Sequence, residues 1–239
     1  MRLSLYLRSA RDYVQRAEYR DLGRRAASLV RSESASVVVH KELSQDSGAT
    51  DPRRQPPIRP ASLEEVLALV ATPPRAGLDA DELWERRLRQ HIATTMGVDG
   101  CFVADAADAH PAFMQYLFTA DDNDRLRSSF SGLFPMLGAN EAMVEFLYIA
   151  PASRNPGFAV SCLQQVTDEA RRLGATSVVS CIDPGNAGAL FVNHLAGFRA
   201  RSVRRNRVRL FRRTYSFEDW PADTSRSLID VASGKVRIA

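Results

Sequence analysis

Lysine is nearly missing from this chain. Lys41 and Lys235 are the only two among 32 basic residues, and the others are arginine. Such a bias follows from a GC-rich coding genome before it follows from any binding partner. Cysteine is scarce as well: Cys101, Cys162 and Cys181 stand far apart, with no CxxC and no histidine at ligand spacing. That pattern excludes a disulfide framework and a zinc site, and it fits small apolar thiols in a reducing cytoplasm. Long hydrophobic runs are absent too. Charge interrupts each one, so no transmembrane segment is expected. There are no internal repeats and no low-complexity tracts. What remains is a chain of 239 residues, 45% hydrophobic and 25% charged, with a net charge of +4. It is long enough to bury a core without staples, which excludes collagen-like and disordered classes.

Composition divides the chain into three parts. Residues 1–57 read as an N-terminal extension. Leu3, Leu7, Ala10, Val14, Ala17 and Leu22 recur at helical spacing with an Arg-rich outer face. No continuous apolar stretch marks a secretory signal, and Asp12, Glu18 and Asp21 argue against a transit peptide, so a cytoplasmic protein is expected. Val37, Val38 and Val39 predict a short strand within 35–43, added at a sheet edge. A polar, Pro- and Gly-bearing linker follows at 44–57. Residues 58–217 form the main domain, and 218–239 a polar tail with a terminal strand.

Within the main domain, Ser62 is a natural N-cap for a helix, with Glu64 and Glu65 in its first turn. A second amphipathic helix covers 80–96. Two antiparallel strands lie within 100–111 and 112–120. Residues 121–140 read as loop with a helical turn, and 141–151 as a strong strand. The apolar stripe Val160, Leu163, Val166, Ala170 and Leu173 predicts a helix over 157–173 ended by Gly174. A buried strand at 176–183, a short helix at 186–198 and an Arg-rich strand region at 199–217 follow. Strands and helices alternate from residue 141 onward, after an antiparallel beginning, a mixed α/β pattern.

The segment after Glu141 carries the chemistry. A strand ends in Ile149-Ala150-Pro151, and a small-residue loop opens the helix beyond. The first N–H groups of a helix lack intrahelical partners and its dipole favours anions there. Ile149, Pro151, Arg154, Gly157 and Ala159 stand at relative positions 0, 2, 5, 8 and 10. This spacing resembles the coenzyme A signature V-x-P-x-x-[RQ]-x-x-G-x-[GA] of the GCN5-related N-acetyltransferase (GNAT) superfamily. Asn186, Ala189, Gly197 and Phe198 resemble its later N-x-x-A…G-F element. The resemblance covers roughly residues 58–215. It implies an α/β (α+β) fold with a GNAT-like mixed central sheet, antiparallel in its first half and splayed at the cofactor site. Helices lie on both faces, after an N-terminal helical extension.

The same resemblance implies an acyl-CoA-dependent N-acyltransferase, most simply one using acetyl-CoA, with a small-molecule or protein amine as acceptor and no metal. The cofactor arm would enter the splay and meet Leu147, Tyr148 and Ile149. Its pyrophosphate would sit on the loop of Arg154, Asn155, Gly157, Phe158 and Ala159, and Asn186 would contact the arm. Tyr148 itself points to the opposite face and reads as packing. Glu145 is the candidate base. Two-residue alternation places it on the face of Leu147 and Ile149, and the alternative role is an ion pair or substrate orientation. Asn193 holds the place where many members carry a tyrosine that protonates the leaving thiolate. An amide cannot do this, though it can hydrogen-bond. Pro156 lacks an N–H where the phosphate loop could use one.

These departures leave a second reading, a GNAT-fold module that binds coenzyme A or a partner without turnover. A homodimer is compatible with either. Eight arginines between Arg199 and Arg213 read as a solvated strand face. The alternative is a basic rim that attracts an acidic substrate or, in an Arg-rich nucleic-acid-associated protein, a nucleic acid, although aromatic interleaving there is sparse. Asp105, Asp108 and His110, and likewise Asp121, Asp122 and Asp124, read as polar turns and not as metal ligands.

Overall fold

The run Val37-Val38-Val39 is β-branched and buried, and it sits in the middle of a sheet. The computed structural model of the protein describes residues 31–43, 56–71, 80–106, 109–210, 212–222 and 224–236. β1 (Arg31–Glu42) pairs antiparallel with β6 (Ser177–Ile182) on one side and with β7 (Arg199–Arg209) on the other. The strand expected at an edge therefore lies inside the sheet. Its valines are wetted on neither side, and backbone pairing on both edges outweighs the cost of a long chain excursion. The helix expected before it lies outside the described residues, as does nearly all of the expected linker.

Eight strands run in the order β2-β3-β4-β5-β6-β1-β7-β8. β2 (Arg59–Pro60), β3 (Cys101–Asp105), β4 (Pro111–Phe118) and β5 (Glu141–Ile149) are successively antiparallel. β5 and β6 are parallel, joined by α4 (Pro156–Arg172). β8 (Arg212–Asp219) closes the sheet as an antiparallel edge strand on β7. This is the mixed α/β sheet expected from the sequence, antiparallel in its first half.

Helices cover both faces. On one, α4, α5 (Ala187–Leu195) and α6 (Leu228–Ala232) pack Leu163, Val166, Leu190, Leu228 and Val231 against Val37, Val144 and Val178. On the other, α1 (Leu63–Leu69), α2 (Ala80–Met96) and α3 (Asn123–Phe130) bring Val66, Ile92 and Leu126 onto Met114, Met143 and Val179. α1 starts at a capping box in which Ser62 and Glu65 satisfy each other's backbone N–H. The tail holds α6 in place of the expected terminal strand. Trp220, Leu228 and Val231 find a place in the core, and burying them settles the tail as a helix. Among the described residues, no helix is long and apolar enough to cross a membrane.

Candidate active site

β5 and β6 start as neighbours and then part. Their parallel pairing covers Glu141–Ser177, Ala142–Val178 and Met143–Val179 and stops there, although both strands continue. The cause lies in β5 itself. Tyr116 of β4 faces Glu145, and Met114 faces Tyr148, so Phe146 and Leu147 together oppose Gln115. This is a bulge, and Phe146 takes φ +60° within it. A bulge bends its strand and increases the twist, which turns the second half of β5 away from β6. A non-glycine residue in that region costs energy that the fold must supply. Four aromatic rings supply it, since Phe146 meets Tyr116, Phe118, Phe130 and Phe134 at 5.4 to 6.3 Å between centroids.

The bulge also changes which way Glu145 looks. Val144, Leu147 and Ile149 face the α4–α6 side, whereas Met143, Phe146 and Tyr148 face the α1–α3 side. The extra residue breaks the alternation, so Glu145 does not share the face of Leu147 and Ile149 as the sequence suggested. Instead it spans the gap. Its Oε1 accepts from the Cys181 N–H at 2.5 Å and from Ser180 Oγ at 3.3 Å, both on β6. Burial pushes its carboxyl up to about 7, against the pull of the Cys181 N–H, the Arg204 charge, the Ser180 hydroxyl and the Phe146 N–H. A buried carboxyl that ionises near neutrality, set in a parted strand pair, can take up or release a proton at neutral pH.

The far end of β5 is held by α2. Ala150 N–H donates to Ala112 O of β4, so alternation sends the backbone groups of Ile149 the other way, toward the gap. Arg154 Nε donates to Ile149 O at 3.1 Å and its Nη2 to Glu82 Oε2 at 2.8 Å. Arg89 Nη2 donates to Leu147 O at 2.7 Å. Tyr148 Oη donates to Glu82 Oε1 at 3.1 Å, and its ring lies under Arg86, Arg89 and Arg154. Burial works against the charge of Glu82, but Arg154, Arg86 and Tyr148 outweigh it and hold the carboxyl below its ordinary range. Burial, with Glu82 beside it, pushes the Tyr148 phenol up to about 12. Sequence reasoning missed Glu82, Arg86 and Arg89. Their one signal was the i,i+4 pairing of Glu82 with Arg86 and Glu85 with Arg89, which any solvated helix can show.

The loop before α4 is largely committed to itself. Arg154 N–H donates to Pro151 O, Asn155 N–H to Ser153 O, and Ala159 N–H to Asn155 O. Asn155 caps the helix, with Oδ1 taking the Phe158 N–H at 2.7 Å. Pro156 has no N–H. Among these groups, the Gly157 N–H alone has no partner among the described residues. A methyl group on Gly157 would meet only Asn155 Oδ1, at 3.5 Å, so the chain itself does not require glycine there. The Phe158 ring packs edge-on against Phe113.

Asn186 caps α5, its Oδ1 accepting from the Ala189 N–H at 2.9 Å. Asn193 lies one side of the same helix, 4% exposed, with Nδ2 donating to Ala189 O at 2.9 Å. Its Oδ1 is buried with no partner, as is Gln115 Oε1 beneath the bulge. Orphaned buried acceptors cost free energy unless a donor arrives. Both fit a ligand that carries amide N–H groups, and neither can give up a proton. Glu145, Leu147 and Ile149 thus lie along the part of β5 that has left β6, with Arg154 and Gly157 in the turn that follows, whereas Asn186 and Asn193 make their contacts within α5. Tyr148 looks away from them toward α2. Asp105 is bound to Arg59 at 3.0 Å, Asp122 to Arg125 and Asp124 to Arg127; Asp108 lies outside the described residues.

No protein-family model matches the chain, and no curated protein is similar enough to match it. Solved structures do resemble it. An acetyltransferase of the GNAT family from Colwellia psychrerythraea is 13% identical, with a TM-score of 0.46, over 85% of this chain and 62% of that one. A GCN5-related N-acetyltransferase from Sphaerobacter thermophilus is 16% identical, TM-score 0.45, over 78% and 56%. A Salmonella typhimurium structure described as an acetyltransferase, with its cofactor acetyl-CoA, is 17% identical, TM-score 0.39, over 71% and 96%. The chain spans less than two thirds of the length of the first two. Identities of this size transfer no residue roles.

Proposed function

We propose that the chain is an N-acyltransferase of the GNAT type, moving an acyl group from an acyl-CoA, most simply acetyl-CoA, to an amine. The observation that carries this reading is the parting of β5 and β6 after Met143–Val179, with the ionisable Glu145 buried inside it. The residues present suit an arm with amide groups. The gap-side edge of Ile149 has no strand beside it, and the Asn193 Oδ1 lacks a donor. Gly157 leaves one N–H and an open approach for a phosphate oxygen at the start of α4.

An acyl thioester, when bound, supplies an acyl carbon open to attack by nitrogen. The chain contributes position and proton transfer. Holding an amine against a fixed acyl carbon replaces a bimolecular encounter with an effectively unimolecular one. Glu145, half ionised near neutrality and more so above it, takes the proton that the attacking nitrogen gives up. Ser180 Oγ and the Cys181 N–H keep that carboxylate in place. As the C–N bond forms the C–S bond would break, and coenzyme A would leave as its thiolate to solvent, because the Asn193 amide has no acidic proton to give.

One observation favours a second reading, coenzyme A binding without turnover. Asn155, Pro156 and the turn at Pro151–Ser153 leave the phosphate loop a single open N–H, and Arg154 is tied to Glu82. Calorimetric titration with acetyl-CoA, followed by thiol release across a panel of amines, separates the two. Binding with release supports the enzyme, and binding without release supports the module. No heat and no thermal shift at millimolar acetyl-CoA defeats both.

A further inference from the structure

Among the described residues the sheet ends at β8, an eight-residue strand whose outer edge has no neighbour. The opposite edge, β2, has two residues and offers little to pair with. Every β8 side chain is exposed apart from the half-buried Tyr215, and Phe217 is 41% exposed. A long, open, flat edge invites another strand unless something blunts it. Charge blunts β8 only in part, because the charge is divided: Arg212 and Arg213 stand at one end, Glu218 and Asp219 at the other.

The backbone decides which groups face outward. Trp220 N–H donates to Arg201 O of β7. Stepping back by two along the antiparallel ladder, Glu218, Ser216, Thr214 and Arg212 also turn their backbone groups to β7, and Arg212 sits opposite Arg209 across the hairpin connection. Arg213, Tyr215, Phe217 and Asp219 therefore aim their N–H and C=O groups at the free edge. Symmetry adds a condition. Two copies of one strand paired antiparallel about a two-fold axis keep their faces, so residues opposite each other must be an even number of positions apart. The axis then passes through a residue paired with itself.

We propose that two copies of this chain associate through β8, antiparallel, about a two-fold axis at Tyr215. In that register the basic end of each strand lies along the acidic end of the other. Arg212 meets Glu218 of the second copy on the α4–α6 side, and Thr214 meets Ser216. On the α1–α3 side Tyr215 meets Tyr215 of the second copy, and Arg213 stands opposite Phe217. The pairs at 213–217, 215–215 and 217–213 each exchange backbone hydrogen bonds, because these are the residues that face outward. An axis at Ser216 puts Arg212 against the buried Trp220, and an axis at Thr214 leaves both acids without a partner. The result is one continuous sheet across two copies, with neither β8 edge left open.

Sedimentation equilibrium of the full chain tests this. The wild type is expected at twice the 26.5 kDa chain mass at tens of micromolar, and Arg212→Glu, which sets Glu against Glu218 twice, weakens the dimer at least about tenfold. Adding Glu218→Arg to that variant restores association to within about threefold of wild type. Glu218 also pairs with Arg205 of its own chain at 3.0 Å, so a melting curve of each variant checks the fold. Independently of charge, Tyr215→Cys forms a covalent dimer on mild oxidation, because only a residue on the axis meets itself within disulfide reach. A wild-type monomer at about 100 µM overturns the proposal. So does a dimer indifferent to Arg212→Glu, or cross-linking at Thr214→Cys and not at Tyr215→Cys.

Discussion

Glu145 on β5 accepts a hydrogen bond from the Cys181 N–H on β6 at 2.5 Å, two residues past the last pair of the two strands. The carboxylate takes the place of a ladder bond that the bulge has removed. The same contact ties the proposed base to the shape of the cleft it serves.

Replacing Glu145 with glutamine keeps the acceptor oxygen for Cys181 and removes the basicity. Turnover is expected to fall by about two orders of magnitude, the usual worth of a positioned acid or base. The wild-type rate should rise with pH through about 7, where the carboxyl ionises, and the variant should lose that rise. Affinity for acetyl-CoA changes little. Steady-state rates from pH 5.5 to 8.5, taken as about the span of one such titration, decide the matter, and a variant with an unchanged profile removes Glu145 from proton transfer.

The same group makes stability depend on pH. Its folded carboxyl titrates at about 7, above its ordinary 4.5. Burial favours the neutral form, so that contribution is complete below the unfolded value and is lost as pH rises through the folded one. The wild type should therefore lose ground to Glu145→Gln between pH 5 and pH 8, by an amount on the order of 2–3 kcal/mol. Urea melts of both proteins at the two pH values measure the difference directly. A gap that stays constant with pH contradicts a buried, raised carboxyl.

Gly157 separates folding from binding. Alanine fits beside Asn155 Oδ1 at ordinary contact distance, and alanine suits a helix better than glycine by up to about 1 kcal/mol. Gly157→Ala should melt no lower than wild type and yet bind coenzyme A more weakly, because its methyl group meets the phosphate. Gly157→Glu should abolish binding by adding charge as well. Equal coenzyme A affinity in all three proteins would place the phosphates elsewhere.

Removing residues 1–43 takes β1 out from between β6 and β7. Val37, Val38 and Val39 leave the core, and the strands on either side lose a neighbour. The shortened chain is expected to lose its cooperative thermal transition and to aggregate, since stripping several large buried side chains costs more than a domain's whole margin of about 5–15 kcal/mol. Circular dichroism on heating reports the outcome. A cooperative melt within a few degrees of wild type would mean that β7 can close onto β6 without β1.

Much of this was legible in the residues themselves. The stripe from Val160 to Ala170 specified α4, and Ser62 with Glu65 fixed the start of α1, because a helix's periodicity and caps are local. The spacing from Ile149 to Ala159 marked the turn that opens α4. The bulge was not legible. Phe146 holds φ +60° where sequence would lead one to expect glycine, and only the aromatic rings around it, drawn from β4, α3 and the loop beyond, make that tolerable. With the bulge unseen, simple alternation put Glu145 on the wrong face. Arg89 and Glu82 reach β5 from α2, a distance in sequence that no spacing rule spans. The tail read as polar with a terminal strand, and nothing local in it announced that Leu228 and Val231 would be buried as a helix.

The seat of β1 has a temporal side. It leaves the ribosome well before β6, its first partner, since Val37 pairs with Ile182 about 145 residues further on, and β7 comes later still. Until both exist, three consecutive valines have no ladder to join and remain a sticky tract on a growing chain. Closing so long a loop is slow. Among the described strands the first made is among the last to be housed, so β1 waits unpaired until β6 and β7 have both been synthesised.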